Sequence, residues 1–172
     1  MSINDLHGDG LYLSTRTPFW RVGPLPKGWR KAQGIADAQF ACSLVEQNMQ
    51  SYWSRRRMRF NAHMFMHQWD RLDALLFTPQ QSRAGLIAWD IDPDFTYAHL
   101  RELHVQSDHQ HQGHGRHILS AWIEQCRHFN VKGMRLKVFS ENPAMALYTQ
   151  MGFVPMSEDS EVNGLIDMHH IF

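Results

Sequence analysis

Twelve consecutive residues carry the most chemistry in this chain: Val105-Gln106-Ser107-Asp108-His109-Gln110-His111-Gln112-Gly113-His114-Gly115-Arg116. Gly113 and Gly115 have no Cβ, so the backbone there can approach a ligand closely. A helix is expected to follow, with unpaired N–H groups and a positive dipole end. Together these make a cradle for an anion such as a phosphate or pyrophosphate, and Arg116 adds a charge-assisted contact. Two phosphate motifs fail here. A P-loop needs Gly-Lys-Ser/Thr, which the chain lacks. The dinucleotide fingerprint needs a small third residue where Ile118 stands. Taken alone, the segment reads equally as a Gly-rich turn with no ligand.

Histidines crowd the same turn: His109, His111, His114 and His117, out of 12 in the chain. His114 and His117 are spaced to share a helix face, as some metal ligands do. No cysteine lies near them and no His-Glu-x-x-His pattern occurs. No metal site is assigned, and the rings are expected to be exposed neighbours of whatever anion the turn holds.

These residues must be positioned by a folded body. The chain has 172 residues, which at about 150 per domain means one domain able to bury roughly 70% of its unfolded surface. Apolar residues at 43% and charged residues at 20% suit a globular core. Lys plus Arg and Asp plus Glu both number 17, which argues against nucleic-acid binding through a large basic surface. Cys42 and Cys126 make no disulfide framework and sit in apolar-periodic stretches, as small buried hydrophobes do. No apolar run approaches the ~18 residues of a membrane span. Asn4, Asp5, His7 and Asp9 stand where a signal peptide would be basic and then apolar. A cytoplasmic protein with no membrane partner is the expectation.

The apolar pattern predicts helices over 36–48 and 62–69, then strands over 74–77, 84–91 and 97–105. Ile118, Leu119, Trp122, Ile123 and Cys126 form one stripe of a helix running from the Gly-rich turn to about Phe129. A strand over 134–139 follows. Asn142 as N-cap and Pro143 at the first helical position open a short helix, which Gly152 stops. Residues 153–172 read as a hairpin turning within 158–161. Residues 1–28, rich in Gly and Pro, form an irregular arm, and Phe19, Trp20 and Trp29 suggest that part of it packs on the body. The class is α/β (α+β), with a mixed central sheet and flanking helices.

A second segment, Ser140-Glu141-Asn142-Pro143-Ala144-Met145-Ala146-Leu147-Tyr148-Thr149-Gln150-Met151-Gly152-Phe153, decides between the readings of the turn. With it the chain resembles the GNAT family of N-acetyltransferases, whose co-substrate is acetyl-CoA. Gln110, Gly113 and Gly115 match the family's Gln/Arg-x-x-Gly-x-Gly/Ala, and Val105 matches the preceding strand end. Asn142, Ala146, Leu147, Tyr148, Gly152 and Phe153 match its Asn-x-x-Ala-x-x-Leu-Tyr-x-x-x-Gly-Phe, with Ala146 shifted by one place. The resemblance covers roughly 29–172, and the arm 1–28 lies outside it.

The resemblance implies roles. Backbone groups of Leu103, His104 and Val105 would pair with the pantetheine arm as a strand would. An N–H near Val105 would polarise the thioester carbonyl. The turn, from Gln110, His111 and Gln112 through Gly113, His114 and Gly115 to Arg116, would hold the pyrophosphate. Asn142 would bind the cofactor's amide region or serve only as a cap. Tyr148 would donate a proton to the departing sulfur. Glu102 is the first candidate for the base that deprotonates the amine. His104, of the same strand parity, is the second. Trp53, with Tyr52 and Phe65, falls where the family builds its acceptor pocket, although core packing is the commoner fate of such aromatics. The acceptor, an amine on a small molecule or on a peptide or protein, is left open. So are a homodimer and a non-catalytic CoA-binding domain on the same fold.

Overall fold

A computed structural model describes residues 20–156 and 161–172. The strands are β1 (Trp29–Lys31), β2 (Asp73–Phe77), β3 (Gly85–Ile91), β4 (Tyr97–Val105), β5 (Gly133–Phe139), β6 (Val154–Pro155), β7 (Glu161–Val162) and β8 (Leu165–Ile171). They form one sheet in the order β1-β2-β3-β4-β5-β8-β6, with β7 also paired to β8. The β4–β5 pair is parallel and every other pair is antiparallel. A parallel pair needs a crossover, and here it is α3 (His114–His128).

Helices cover both faces of the sheet. On one, α1 (Gly34–Arg55) and α2 (Ala62–Trp69) enclose Ala41, Leu44, Phe65, Leu76, Leu86 and Ala88. On the other, α3 and α4 (Ala144–Gln150) enclose Ile87, Trp89, Ile118, Leu119, Trp122 and Met134. The expected α3 stripe is fully buried, and each of its large aliphatic side chains contributes about 1.5–3 kcal/mol.

β4 changes face halfway along. Trp89 opposes Leu100 while Ala88 opposes Glu102, leaving Arg101 as the extra residue of a bulge. Ala98 and Leu100 therefore point to the α3 side, as does Leu103 beyond the bulge. Glu102 and His104 oppose Ala88 and Leu86, which belong to the α1–α2 core. The bulge thus aims two polar side chains at the face where α1 lies.

One carboxylate ties β1 to α1. Asp37 accepts from Arg30 Nη1 and Nη2 at 2.6 and 3.0 Å, from Arg83 Nε at 2.6 Å and from Gln33 N at 2.8 Å. The Arg30 hydrogen bonds above all, with those of Gln33 and Arg83, hold its carboxyl well below the usual carboxylate range against the opposing effect of burial. Replacing it (Asp37→Asn) is expected to cost about 2–3 kcal/mol in urea melts at pH 7. The folded pKa lies below the unfolded value of about 3.9, so the contribution is full above roughly pH 5 and fades as the pH falls. The two proteins should therefore converge in stability in acid.

The C-terminal segment departs from expectation. Residues 158–160 of the stretch expected to hold the turn lie outside the described residues. The described hairpin joins β7 to β8 and turns at Asn163-Gly164, both at positive φ (56° and 78°). That is the Asn-Gly signature of a tight hairpin. Phe19 also lies outside the described residues. Trp20 meets Trp89 edge-on at 6.4 Å, and the buried Gln125 of α3 binds the backbone of Arg21 and Val22.

Candidate active site

The parallel sheet pair opens in mid-strand. β4 and β5 pair from Tyr97↔Gly133 to Leu100↔Leu136 and no further. β3 stays paired with β4 as far as Val105. Separation from β5 begins at the bulge residue, Arg101, where local twist is greatest. The N–H of Gln106 goes to Ala84 O across β3 at 2.8 Å. By antiparallel alternation, Leu103 and Val105 direct their N–H and C=O groups into the gap; the Val105 C=O already accepts from the Gln110 and Asn48 side chains, and the other three are free strand groups. A slot edged by free strand groups accepts an extended, amide-bearing chain.

At the end of the slot, the loop from Gln106 leads into α3. His111 and Gly113 take positive φ (59° and 84°), and a Cβ on Gly113 would meet nothing within 4 Å. The helix ladder begins with His117 N to Gly113 O, leaving the N–H groups of His114, Gly115 and Arg116 without helical partners. Gln110 and Gln112 brace the loop from within. Gln110 Nε2 donates to Val105 O at 2.9 Å and Gln112 Nε2 to Asp108 O at 3.0 Å. Arg116 bonds Gln150 across to α4. His109 and His114, expected to be exposed, are half-buried against Phe77, with ring centroids 6.0 and 4.3 Å from it. His111 and His117 are exposed. No cluster of three metal-ligating side chains occurs among the described residues.

A phenol and a carboxylate flank the gap from opposite faces of the sheet. Tyr148, on α4, is buried in the α3-side core, edge-on to Phe153 at 6.1 Å. Burial, assisted by the charge of Glu102, raises its pKa well above the phenol value, so it stays protonated at neutral pH. Its hydroxyl makes no hydrogen bond among the described residues and is free to serve a ligand. Glu102 and His104 lie on the α1 side, with His104 Nε2 2.8 Å from Glu102 Oε2. The neighbouring Arg101 is no partner of Glu102, since it binds Asp90 at 2.9 and 3.0 Å. Asn142 Oδ1 caps α4 by accepting from Ala144 N at 2.9 Å, and Pro143 already has helical dihedrals.

Sequence reasoning missed how α1 bridges the gap. Asn48, Tyr52 and Arg56 recur at helical spacing along one stripe. Asn48 Nδ2 donates to Val105 O at 3.2 Å, at the tip of β4. Tyr52 stacks on Phe139, at the tip of β5, at 5.7 Å. Arg56 lies over the same ring at 4.1 Å, forks onto Glu141 at 2.7 and 2.9 Å, and reaches Asn163 O at 2.7 Å. The Arg56 guanidinium holds the Glu141 carboxyl down to about 2. A Cβ at Gly164 would run into the Arg56 guanidinium. Arg56 is therefore an internal tie and no part of a solvated face. This stripe also explains why α1 runs to Arg55, well past the expected end near Asn48. Trp53, a candidate acceptor residue, is half-buried and stacks on Phe60 at 5.1 Å at the edge of the α1–α2 core, and Phe65 packs on the same aromatic pile. Cys126 is fully buried and Cys42 partly so. Burial raises both thiols, as befits packing residues.

A family model described as an acetyltransferase (GNAT) domain matches residues 44–170. A comparison with curated protein sequences gives no match. Three solved structures are similar in fold. The NatC complex bound to Gag peptide and CoA is 15% identical at a TM-score of 0.67, over 84% of this chain and 97% of that one. The PaiA N-acetyltransferase of Thermoplasma acidophilum, in complex with coenzyme A, is 13% identical at 0.62, over 84% and 99%. The ribosomal-protein-S18-alanine N-acetyltransferase of Escherichia coli is 21% identical at 0.62, over 83% and 93%. No described helix is long and apolar enough to cross a membrane.

Proposed function

The chain belongs to the GNAT acetyltransferase family, and we propose that it transfers the acetyl group of acetyl-CoA directly to an amine. One observation carries this reading: a slot edged by free strand groups runs from an anion cradle to a buried phenol and a carboxylate on opposite sides of the sheet. The cradle suits the pyrophosphate of CoA, through the N–H groups of His114, Gly115 and Arg116. The free N–H and C=O of Leu103 and the free N–H of Val105 suit the amides of the pantetheine arm, and Asn142 keeps its Nδ2 available for the same chain. Acetyl-CoA supplies the electrophilic thioester carbonyl and the thiol leaving group.

The protein's own groups handle the protons. A Lys-like amine, with a pKa of about 10.4, arrives protonated at pH 7 and must lose a proton to attack. Glu102, exposed enough to meet an acceptor from the α1 side, is the base. The Val105 N–H offers a hydrogen bond where charge develops on the carbonyl oxygen. Tyr148 gives its proton to the sulfur. Neither Cys42 nor the buried Cys126 lies at the slot, so transfer without an acylated protein is the simplest course.

The acceptor class includes amines of small molecules and of peptides or proteins. The neighbours support the peptide option to the extent that one is bound to a peptide and one is named for a ribosomal-protein alanine. The unit assigned to the activity is 29–172, with 1–28 as an arm. Cytoplasmic action fits two free thiols, and a homodimer is compatible with the exposed tail strands. The test is thiol release from acetyl-CoA in the presence of free-α-amine peptides, polyamines and an aminoglycoside. Amine-dependent release is expected. Binding of acetyl-CoA with no release from any amine would replace this reading by a CoA-binding domain without catalysis.

A further inference from the structure

The two side chains that the bulge aims toward α1 are not equivalent, and α1 supplies the reason. Asn48 stands near both His104 and the tip of β4. Its Nδ2 lies 3.2 Å from the carbonyl oxygen of Val105. That oxygen only accepts, so the amide is oriented with its NH2 group toward it. The same Nδ2 is 3.5 Å from His104 Nδ1, at the long end of hydrogen-bond distance. With an N–H donor facing it, Nδ1 is the acceptor nitrogen of the ring. The proton then resides on Nε2 and is donated to Glu102 Oε2 at 2.8 Å. The His104 side chain is only 10% exposed against 22% for Glu102, so the carboxylate is the member of the pair that an incoming amine meets.

We infer that His104 is a positioning residue: oriented by Asn48, it holds Glu102 with one oxygen occupied and the other turned to the acceptor. The inference deepens the proposed transfer reaction and rests on it for its kinetic consequence, though not for its geometry. It makes His104 a holder of the base in place of an alternative base. It also gives a role to Asn48, which no motif singles out. Among the described residues, Glu102 has His104 beside it on its own strand, and its charge reaches Tyr148 of α4. Towards this pair α1 presents the uncharged Asn48, and β3 presents Ala88 and Leu86.

The first arm of the test is spectroscopic and needs no acceptor. Histidine-labelled protein is studied by ¹⁵N–¹H correlation NMR near pH 8, with His104 assigned by its loss in His104→Gln. The expected result is an Nε2–H ring with a slowly exchanging proton, which Glu102→Ala exposes to exchange. Asn48→Ala should leave the fold intact and mix the two tautomers. An Nδ1–H ring, or a signal indifferent to Glu102→Ala, overturns the inference.

The second arm is thiol release with trialanine as the amine, across pH. His104→Ala should lower kcat roughly tenfold, against the hundredfold or more expected when a proton-transfer group is lost. It should also leave KM for acetyl-CoA unchanged. His104→Gln, which still offers an N–H, should recover most of the rate. If Gln is as inactive as Ala, and both lose a hundredfold or more, His104 is itself the base and the inference falls. Wild-type protein that turns over no amine, with the NMR result as expected, would count against the proposed reaction and leave the hydrogen-bonded chain standing.

Discussion

Gly113→Glu should abolish acetyl-CoA binding. In a calorimetric titration the wild-type protein is expected to bind one acetyl-CoA per chain in the micromolar range, and the variant to show no heat above dilution. Two effects combine. Gly113 sits at φ 84°, where a side chain strains the backbone by about 1–2 kcal/mol. The new carboxylate then lies at the mouth of a cradle whose free N–H groups favour an anion. A repulsion of even about 3 kcal/mol amounts to more than a hundredfold in affinity. Gly113→Ala separates the two, because it carries the strain without the charge. It should lose about 1 kcal/mol of stability and bind with intermediate affinity. If Gly113→Glu binds like the wild type while folding normally, the Gly-rich loop is only a turn.

Tyr148→Phe should cut kcat by a hundredfold or so while leaving acetyl-CoA affinity unchanged. A positioned acid contributes about 10²–10⁴-fold. The thiol it serves has a pKa near 8.5 and departs more readily when protonated. The loss should fall on kcat and kcat/KM alike, because a proton given only as the bond breaks stabilises the transition state alone. The pH dependence carries a sign. Burial and the Glu102 charge raise the folded pKa of Tyr148, so its proton is retained throughout the neutral range and beyond pH 10. A fall in wild-type rate below that pH must therefore come from another group. A fully active Phe variant would remove Tyr148 from the chemistry and leave it as packing against Phe153.

The parts of this account that depend on local pattern were readable from the residues. The α3 stripe, the extent of β4 and the position of α2 follow from periodicity and flanking turn residues. The two motifs located the cradle and Tyr148, since backbone conformation and a short helix are specified within a few neighbouring residues. The parts that depend on contact between distant segments were not readable. The bulge at Arg101 has no residue signature, yet it turns Glu102 and His104 to the α1 face and marks the point where β4 leaves β5. The extension of α1 to Arg55 is held by β5 and Glu141, far along the chain. His109 and His114 pack on Phe77, a partner that only the sheet register supplies. The Asn163-Gly164 turn is different, because the dipeptide was visible. The acidic stretch before it drew the turn to the wrong place. Trp53 lies on the expected helix, and its stacking on Phe60, a contact between residues of different segments, had no local signal.

The measurement that tests the central claim most directly is mass spectrometry of a single incubation of wild-type protein, isotopically labelled acetyl-CoA and a mixture of peptide and small-molecule amines. The account predicts one labelled acetyl group on an amine of a mixture component, an equal amount of free CoA, and an intact protein that carries no label. Free CoA without any acetylated amine, or label retained on the protein in amounts that match its turnover, would contradict direct transfer to an amine.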